Sequence, residues 1–331
     1  MSKIVKNIGF AARVLASKLT GRRYPLSVTF ISTYRCNFTC EYCDVWRYKE
    51  QEMTTKEALS MIDQFARLGT RRFSFNGGEP LLRPDIGILI DRCRERGMFT
   101  TMFSNGSLVA KNVDKLKGLD ILTISLDGPK EVHERQRMAG TYDKVIEGIT
   151  AAKAAGIKVW TNTVITKDNL DYLCALAEDA TSLGVRMIFQ PVLHYSHSAE
   201  TSRIHGLGFN DLEYKKTITR LKQLKKNGAP IVHSDEYLEY IKVPVWPLNK
   251  RRCYAGELYC AVTPVGDVAP CYPIFSSKRW PNGLALGFGK AFADIGRFTC
   301  NGCFCALVES DFLYSLKPGP VLNLLRSVEA V

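Results

Sequence analysis

The sequence predicts an α/β protein built on a parallel sheet, and three observations carry that reading. Strand-like and helix-like patterns alternate six times between residues 27 and 192. Several helix patterns stop on a glycine just before the next strand, at Gly69, Gly156 and Gly184. A chain of 331 residues with 46% hydrophobic content can bury a full-size core and a smaller second unit.

In chain order, Ser27–Thr33 (SVTFIST) is rich in β-branched and aromatic residues and reads as the first strand. Thr54 and Thr55 cap a helix that runs to Leu68. Arg72–Asn76 is the second strand and runs into Gly77-Gly78-Glu79-Pro80. A helix over Asp85–Arg96 precedes a strand over Phe99–Asn105. A short helix at Lys111–Leu116 leads to a strand at Ile121–Asp127. Helices at Tyr142–Ala155 and Leu170–Leu183 alternate with strands at Lys158–Thr166 and Arg186–Val192. Residues 194–209 read as a loop, a lid or a linker, and a helix follows at Asp211–Lys226. Pro230, Pro244 and Pro247 punctuate the stretch that leads to a second cysteine-rich region.

Chemistry concentrates in the run Cys36-Asn37-Phe38-Thr39-Cys40-Glu41-Tyr42-Cys43, directly after the first strand. Three closely spaced thiolates can hold three irons of a cubic iron–sulfur cluster, which leaves one iron open to a small molecule. Structural zinc is the rival, but it wants four closed ligands. A second set comprises Cys253 and Cys271, with Gly266 between them, and then Cys300-Asn301-Gly302-Cys303. By ligand count this set suits either tetrahedral zinc or a closed cubic cluster. Cys260 and Cys305 stand as replacement ligands, hydrogen donors or packing residues; Cys93 and Cys174 fall in helix patterns and read as core.

The C-x3-C-x2-C loop after a strand, followed by GGEP after the next strand, resembles the radical S-adenosylmethionine (radical SAM) superfamily. That resemblance implies a partial (β/α)6 TIM-like barrel with a small C-terminal cysteine-rich auxiliary-cluster domain. It implies a catalytic 4Fe-4S cluster on Cys36, Cys40 and Cys43, with S-adenosylmethionine on its open iron. One electron then yields methionine and a 5′-deoxyadenosyl radical that takes hydrogen from a substrate. The second cysteine set resembles SPASM and twitch extensions, most closely the twitch type of cyclitol dehydrogenases. This implies one auxiliary 4Fe-4S cluster on Cys253, Cys271, Cys300 and Cys303. Gly77, Gly78, Glu79 and Pro80 would meet the cofactor's methionine amine through main-chain groups. Ser125 and Arg137 are similar to a serine and arginine of the anaerobic sulfatase-maturating enzymes, and imply a hold on the cofactor's carboxylate. Asn105 and Asn162 are candidates for ribose contacts, and Tyr42 for packing near adenine. His194, His197 and His205 fit no metal spacing.

The expected organisation is a basic amphipathic helix at 1–25, a core barrel at 26–209, a helix and linker at 210–250, the auxiliary domain at 251–310 and a tail at 311–331. The net charge is +12, and Lys3, Lys6, Arg13, Lys18, Arg22 and Arg23 place half of it in the first 25 residues without an acid. Ile4, Ile8, Val14, Leu15 and Leu19 fall near helical spacing there. Such a helix either packs on the barrel or lies on an anionic membrane. No apolar run long enough to span a bilayer exists, and no secretory signal precedes the cysteines. The expectation is a cytoplasmic enzyme, with peripheral contact at the inner membrane face as a second reading. No aromatic-interleaved basic stripe speaks for nucleic acid. The reaction needs an electron donor such as flavodoxin or ferredoxin. The short segment before the first strand leaves no room for a leader-binding domain, so a lipid, polyprenyl, cyclitol or sugar substrate is favoured over a peptide. A non-catalytic zinc protein or iron–sulfur electron carrier is the alternative.

Overall fold

Alternation within the strands decides the layers. In Arg72–Asn76, Phe73 and Phe75 are fully buried in the main hydrophobic core, while Arg72, Ser74 and Asn76 occupy the opposite face. The same division repeats along the sheet, so apolar residues meet the helices outside and a largely polar face lines a hollow. The computed structural model describes residues 3–192, 212–242, 252–277, 279–296 and 307–316, apart from the side chains of residues 3–11, 307–309 and 312.

Among the described residues, eight strands form one sheet: β1 (Ser27–Ile31), β2 (Arg72–Asn76), β3 (Phe99–Ser104), β4 (Ile121–Ser125), β5 (Val159–Ile165), β6 (Arg186–Pro191), β7 (Tyr259–Val262) and β8 (Val268–Ala269). Their order is β6-β5-β4-β3-β2-β1-β7-β8. β1 to β6 pair in parallel and in sequence, as a partial barrel requires, and among the described residues no ladder joins β6 to β1. β7 runs parallel to β1 and turns back antiparallel into β8, so the cysteine-rich region continues the barrel's own sheet.

The helices that cover the sheet include α1 (Lys3–Thr20), α2 (Thr55–Leu68) and α3 (Ile86–Glu95). α2 starts where expected, because Thr54 and Glu57 form a reciprocal capping box. The C-terminal half of α1 is tied to the body. Val14 is buried, Arg13 donates to the Gly69 carbonyl at 2.9 Å, and Lys18 donates to the Ser315 carbonyl at 2.9 Å. Leu15 and Leu19 face outward, so the stripe inferred from spacing divides between core and solvent. The side chains of Ile4 and Ile8, residues 194–209, Cys300, Cys303 and Cys305 lie outside the described residues. Among the described residues, no helix is long and apolar enough to cross a membrane. Cys93 sits in the main core and Cys174 packs against it, as their helix positions imply.

Candidate functional site

The cysteine loop leaves the carboxyl end of β1, where parallel α/β folds collect their chemistry. It is anchored at its start: Ser32 donates to the Asn76 carbonyl through both its backbone N–H (2.7 Å) and its hydroxyl (2.9 Å). Glu52 accepts from the Thr33 hydroxyl and from the Tyr34 N–H. Further along, the Phe38 N–H points to the Cys36 sulfur at 3.4 Å, and the Trp46 indole donates to the Cys43 carbonyl at 2.8 Å. Burial pushes the Cys36 thiol up to about 11 and the Cys43 thiol up to about 12, and it raises Cys40 too. These thiols hold their protons at neutral pH until a metal displaces them. Among the described residues, no three His, Cys, Asp or Glu side chains are arranged to hold a single metal ion. A cubic cluster takes each thiolate at a separate iron.

The GGEP turn lies against the base of this loop. The Gly78 N–H donates to the Thr33 carbonyl at 2.8 Å and the Glu79 N–H to the Arg35 carbonyl at 2.8 Å. A Cβ on Gly78 would lie 2.1 Å from the Arg35 carbonyl oxygen, and one on Gly77 (φ +146°) 2.4 Å from that of Thr33. The close approach expected for these glycines is therefore made first to the protein's own backbone at residues 33–35. Pro80 opens the short 3-10 turn at 80–82 that follows.

Glu79 is fully buried and turns inward. It accepts from the Ser104 hydroxyl (3.0 Å), the Asn105 N–H (2.7 Å) and the Leu81 N–H (3.1 Å), and burial raises its carboxyl to about 7. It thereby fixes Asn105, whose side-chain amide donates to Asn37 in the cysteine loop at 2.8 Å and stands 4.0 Å from the Cys36 sulfur.

On the opposite side, Asp127 organises a second cluster that the motif reading left without a role. It is wholly buried at the end of β4 and accepts from Tyr42 Oη (2.6 Å), Arg137 Nε (2.7 Å), Arg137 Nη2 (3.3 Å) and the Val164 N–H (2.9 Å). The guanidinium also lies over the Tyr42 ring at 5.6 Å. Burial opposes the charge on Arg137, but Asp127 outweighs it and the pKa is raised. Arg137 is thus an ion-paired residue before any cofactor arrives, with Nη1 directed toward the Cys40 sulfur at 4.0 Å. His133 props the cluster from behind, accepting the Asp127 N–H at Nδ1 (3.3 Å). Burial lowers its pKa to about 4.

Cys36, Cys40, Cys43, Gly77, Gly78, Asn105, Ser125, Arg137 and Tyr42 all border one cavity of about 410 Å3. Ser125 pairs with Asn162 across β4 and β5, and the buried Asn162 Oδ1 has no hydrogen-bond partner. The same holds for Ser74 Oγ and Asn76 Oδ1, inward on β2. Orphaned polar atoms on the wall of a cavity under three cysteines are those a polar cofactor or substrate would satisfy. Tyr272, next to Cys271, also lines this cavity.

Cys253 and Cys271 share one apolar cluster with Tyr254, Leu258 and Tyr259, and Cys253 lies 3.3 Å from the Tyr259 hydroxyl. Cys260 is buried in the main core and burial raises its thiol strongly, which matches its reading as a packing residue.

The family model of the radical SAM superfamily matches residues 30–180, from β1 into the helix that follows β5. Residues 30–180 thus form a radical SAM domain. It is an enzyme whose cofactors are a 4Fe-4S cluster and S-adenosylmethionine. It is similar to the AdoMet-dependent heme synthase of Oleidesulfovibrio alaskensis, at 27% identity over 266 residues that cover 72% of this chain and 67% of that one. A PqqA peptide cyclase of Streptomyces rochei is 26% identical over 273 residues, covering 79% of this chain and 73% of its own. In fold, this radical SAM chain resembles Streptococcus suis SuiB bound to S-adenosylmethionine, with TM-score 0.68 and 16% identity over 97% of this chain and 81% of that one. The names of these relatives point to haem synthesis and peptide modification, so the preference for a lipid, polyprenyl, cyclitol or sugar substrate over a peptide has no support here.

Proposed function

We propose that this enzyme binds S-adenosylmethionine in the upper part of the barrel cavity and uses it to remove a hydrogen atom from a substrate held below. The observation that carries this reading is the convergence of the cysteine loop, the GGEP turn, Asn105 and Arg137 on one cavity with unsatisfied polar walls. A 4Fe-4S cluster on Cys36, Cys40 and Cys43 would supply the single electron that splits the cofactor into methionine and a 5′-deoxyadenosyl radical.

The chain's own residues bind, orient and shield. Main-chain groups of Gly77 to Pro80 face the methionine amine, with Glu79 holding that turn against Asn105. Arg137, pre-charged by Asp127, offers Nη1 to the cofactor's carboxylate beside Ser125. Asn105 and Asn162 are placed for the ribose, and Tyr42 for adenine. The apolar parts of the wall, such as Val164, Val192 and Trp160, exclude the water that would quench a radical.

A second cubic cluster on Cys253, Cys271, Cys300 and Cys303 completes the reading, with flavodoxin or ferredoxin as donor. Haem synthesis and peptide cyclisation, the activities named for the two relatives, replace lipid or cyclitol chemistry as the reference for the substrate. Iron and sulfide counting after anaerobic reconstitution tests the two-cluster reading. About eight irons per chain are expected, falling to about four in the Cys36→Ala/Cys40→Ala/Cys43→Ala variant. Four irons plus one zinc in the unaltered chain would contradict the auxiliary cluster.

A further inference from the structure

The cavity does not end beneath the cysteine loop. It continues down the barrel axis to the amino ends of the strands, where Ser27 of β1 and Arg72 of β2 line it. There it is closed by Ser310 and Leu313 of the helix Leu307–Tyr314. Arg72 and Asn76 sit four residues apart on the same face of β2, so the floor lies about 13 Å below the GGEP turn.

The charge on this wall is one-sided. No Asp or Glu lines the cavity among the described residues, and the charged side chains that do are Arg72 and Arg137. Arg137 is ion-paired with Asp127 and stands at the cofactor end of the cavity, beside the cysteine loop. Arg72 makes no ion pair and donates no side-chain hydrogen bond among the described residues. Its guanidinium lies over the Phe99 ring at 5.7 Å, and its positive field reaches the Tyr314 hydroxyl, which is bonded to Ser27 Oγ at 2.6 Å. Asp311, on the helix that closes the floor, does not line the cavity; its Oδ1 accepts from the Tyr254 N–H (2.9 Å) and the Tyr259 hydroxyl (3.1 Å).

An isolated guanidinium in a partly apolar enclosure is costly unless something pairs with it. Its planar fork matches a carboxylate. One step above it on β2, Ser74 Oγ is buried and unpartnered. Between this polar floor and the cofactor region, Ile121, Trp160 and Ile188 provide an apolar wall.

The geometry points to an anion subsite at the barrel floor: Arg72, supported by Ser74, receives the carboxylate of a substrate whose apolar body runs up the barrel toward the cysteine loop. This deepens the proposed function and rests on it for the position of the reacting end. Substrates of this enzyme are then organic acids with an apolar segment, or larger molecules that present such an arm. The carboxylate sets how deep the arm enters, and so which carbon faces the cofactor.

Octanoate is a suitable probe, with octan-1-ol and octanamide as neutral counterparts of the same length. Calorimetric titration into the reconstituted full chain loaded with S-adenosylmethionine should show octanoate binding and much weaker binding of both neutral compounds. Arg72→Gln should weaken octanoate at least about tenfold, the scale of a charged hydrogen bond, while Arg72→Lys retains most of it. Equal affinity of octanol and octanoate, or an unchanged octanoate affinity in Arg72→Gln, overturns the subsite. Should Arg72→Gln fail to fold, phenylglyoxal modification of Arg72 in the unaltered enzyme decides. Octanoate, but not octanamide, should slow it severalfold, and equal rates overturn the proposal. Deoxyadenosine formation is measured in the same samples. A chain that cleaves S-adenosylmethionine but ignores octanoate loses the subsite alone. One that binds octanoate through Arg72 but never cleaves the cofactor keeps the subsite and loses the function.

Discussion

Replacing Asp127 by Asn removes one charge and almost no volume, and should be among the most damaging conservative changes in the barrel. The Asp127 carboxylate accepts four hydrogen bonds, from Tyr42, Val164 and two nitrogens of Arg137. Asp127 is 0% exposed and Arg137 7%, so water cannot take over as the partner of the guanidinium. Stranding one member of a buried pair costs about 3–5 kcal/mol. A domain with about 5–15 kcal/mol of total stability feels such a loss as a large drop in its unfolding midpoint. Urea denaturation of the reduced, metal-free chain measures it, with the slope of the transition checked for constancy. The ion pair should also show in a double-mutant cycle. Arg137→Met removes the stranded charge, so Asp127→Asn/Arg137→Met should lie about 2 kcal/mol or more above the sum of the single effects. A cost under about 1 kcal/mol for Asp127→Asn, or strict additivity in the cycle, would refute the pairing as the organiser of this side of the site.

Three further outcomes follow from the same geometry. Gly78→Ala places a Cβ 2.1 Å from the Arg35 carbonyl oxygen, a backbone atom that cannot swing away, and should cost about 2–4 kcal/mol and lower the bound iron; normal iron content would place the close approach elsewhere. His133, lowered by burial to about 4, binds fewer protons folded than unfolded between pH 4 and 6.5, so its contribution to stability is lost as pH falls through that window, by about 3 kcal/mol in all. Glu79, raised by burial to about 7, binds more protons folded than unfolded between about 4.5 and 7, so its contribution has the opposite slope. Relative to the unaltered chain, Glu79→Gln should therefore lose stability on acidification from pH 7 to 4.5 and His133→Asn should gain it; parallel pH curves for all three would show that neither group is shifted.

Much of this was legible in the sequence because it depends on local pattern. β2 was readable to the residue, since Phe73 and Phe75 alternate with three polar residues and glycines follow. α2 was readable because Thr54 and Glu57 are spaced for mutual capping. The cysteine loop and GGEP also announce themselves by spacing. What escaped depends on distance in the chain. Asp127 stood in a recognised strand end, but its partners Tyr42 and Arg137 come from a loop 85 residues earlier and a helix end 10 residues later. The inward direction of Arg72 follows from period two, yet only the curvature of the sheet tells which face is the hollow. The glycines of GGEP were assigned to a ligand, whereas backbone packing against residues 33–35 already demands them. In α1, spacing grouped Val14 with Leu15 and Leu19, although only Val14 turns to the core.

The central claim is that the loop thiols at the head of the cavity create the site of cofactor cleavage. The most direct measurement is 5′-deoxyadenosine released from S-adenosylmethionine by the anaerobically reconstituted chain under a strong one-electron reductant. The account predicts product from the unaltered chain and none from the Cys36→Ala/Cys40→Ala/Cys43→Ala variant, which should still hold the iron bound through its C-terminal cysteines. Undiminished deoxyadenosine formation in that variant would contradict the account.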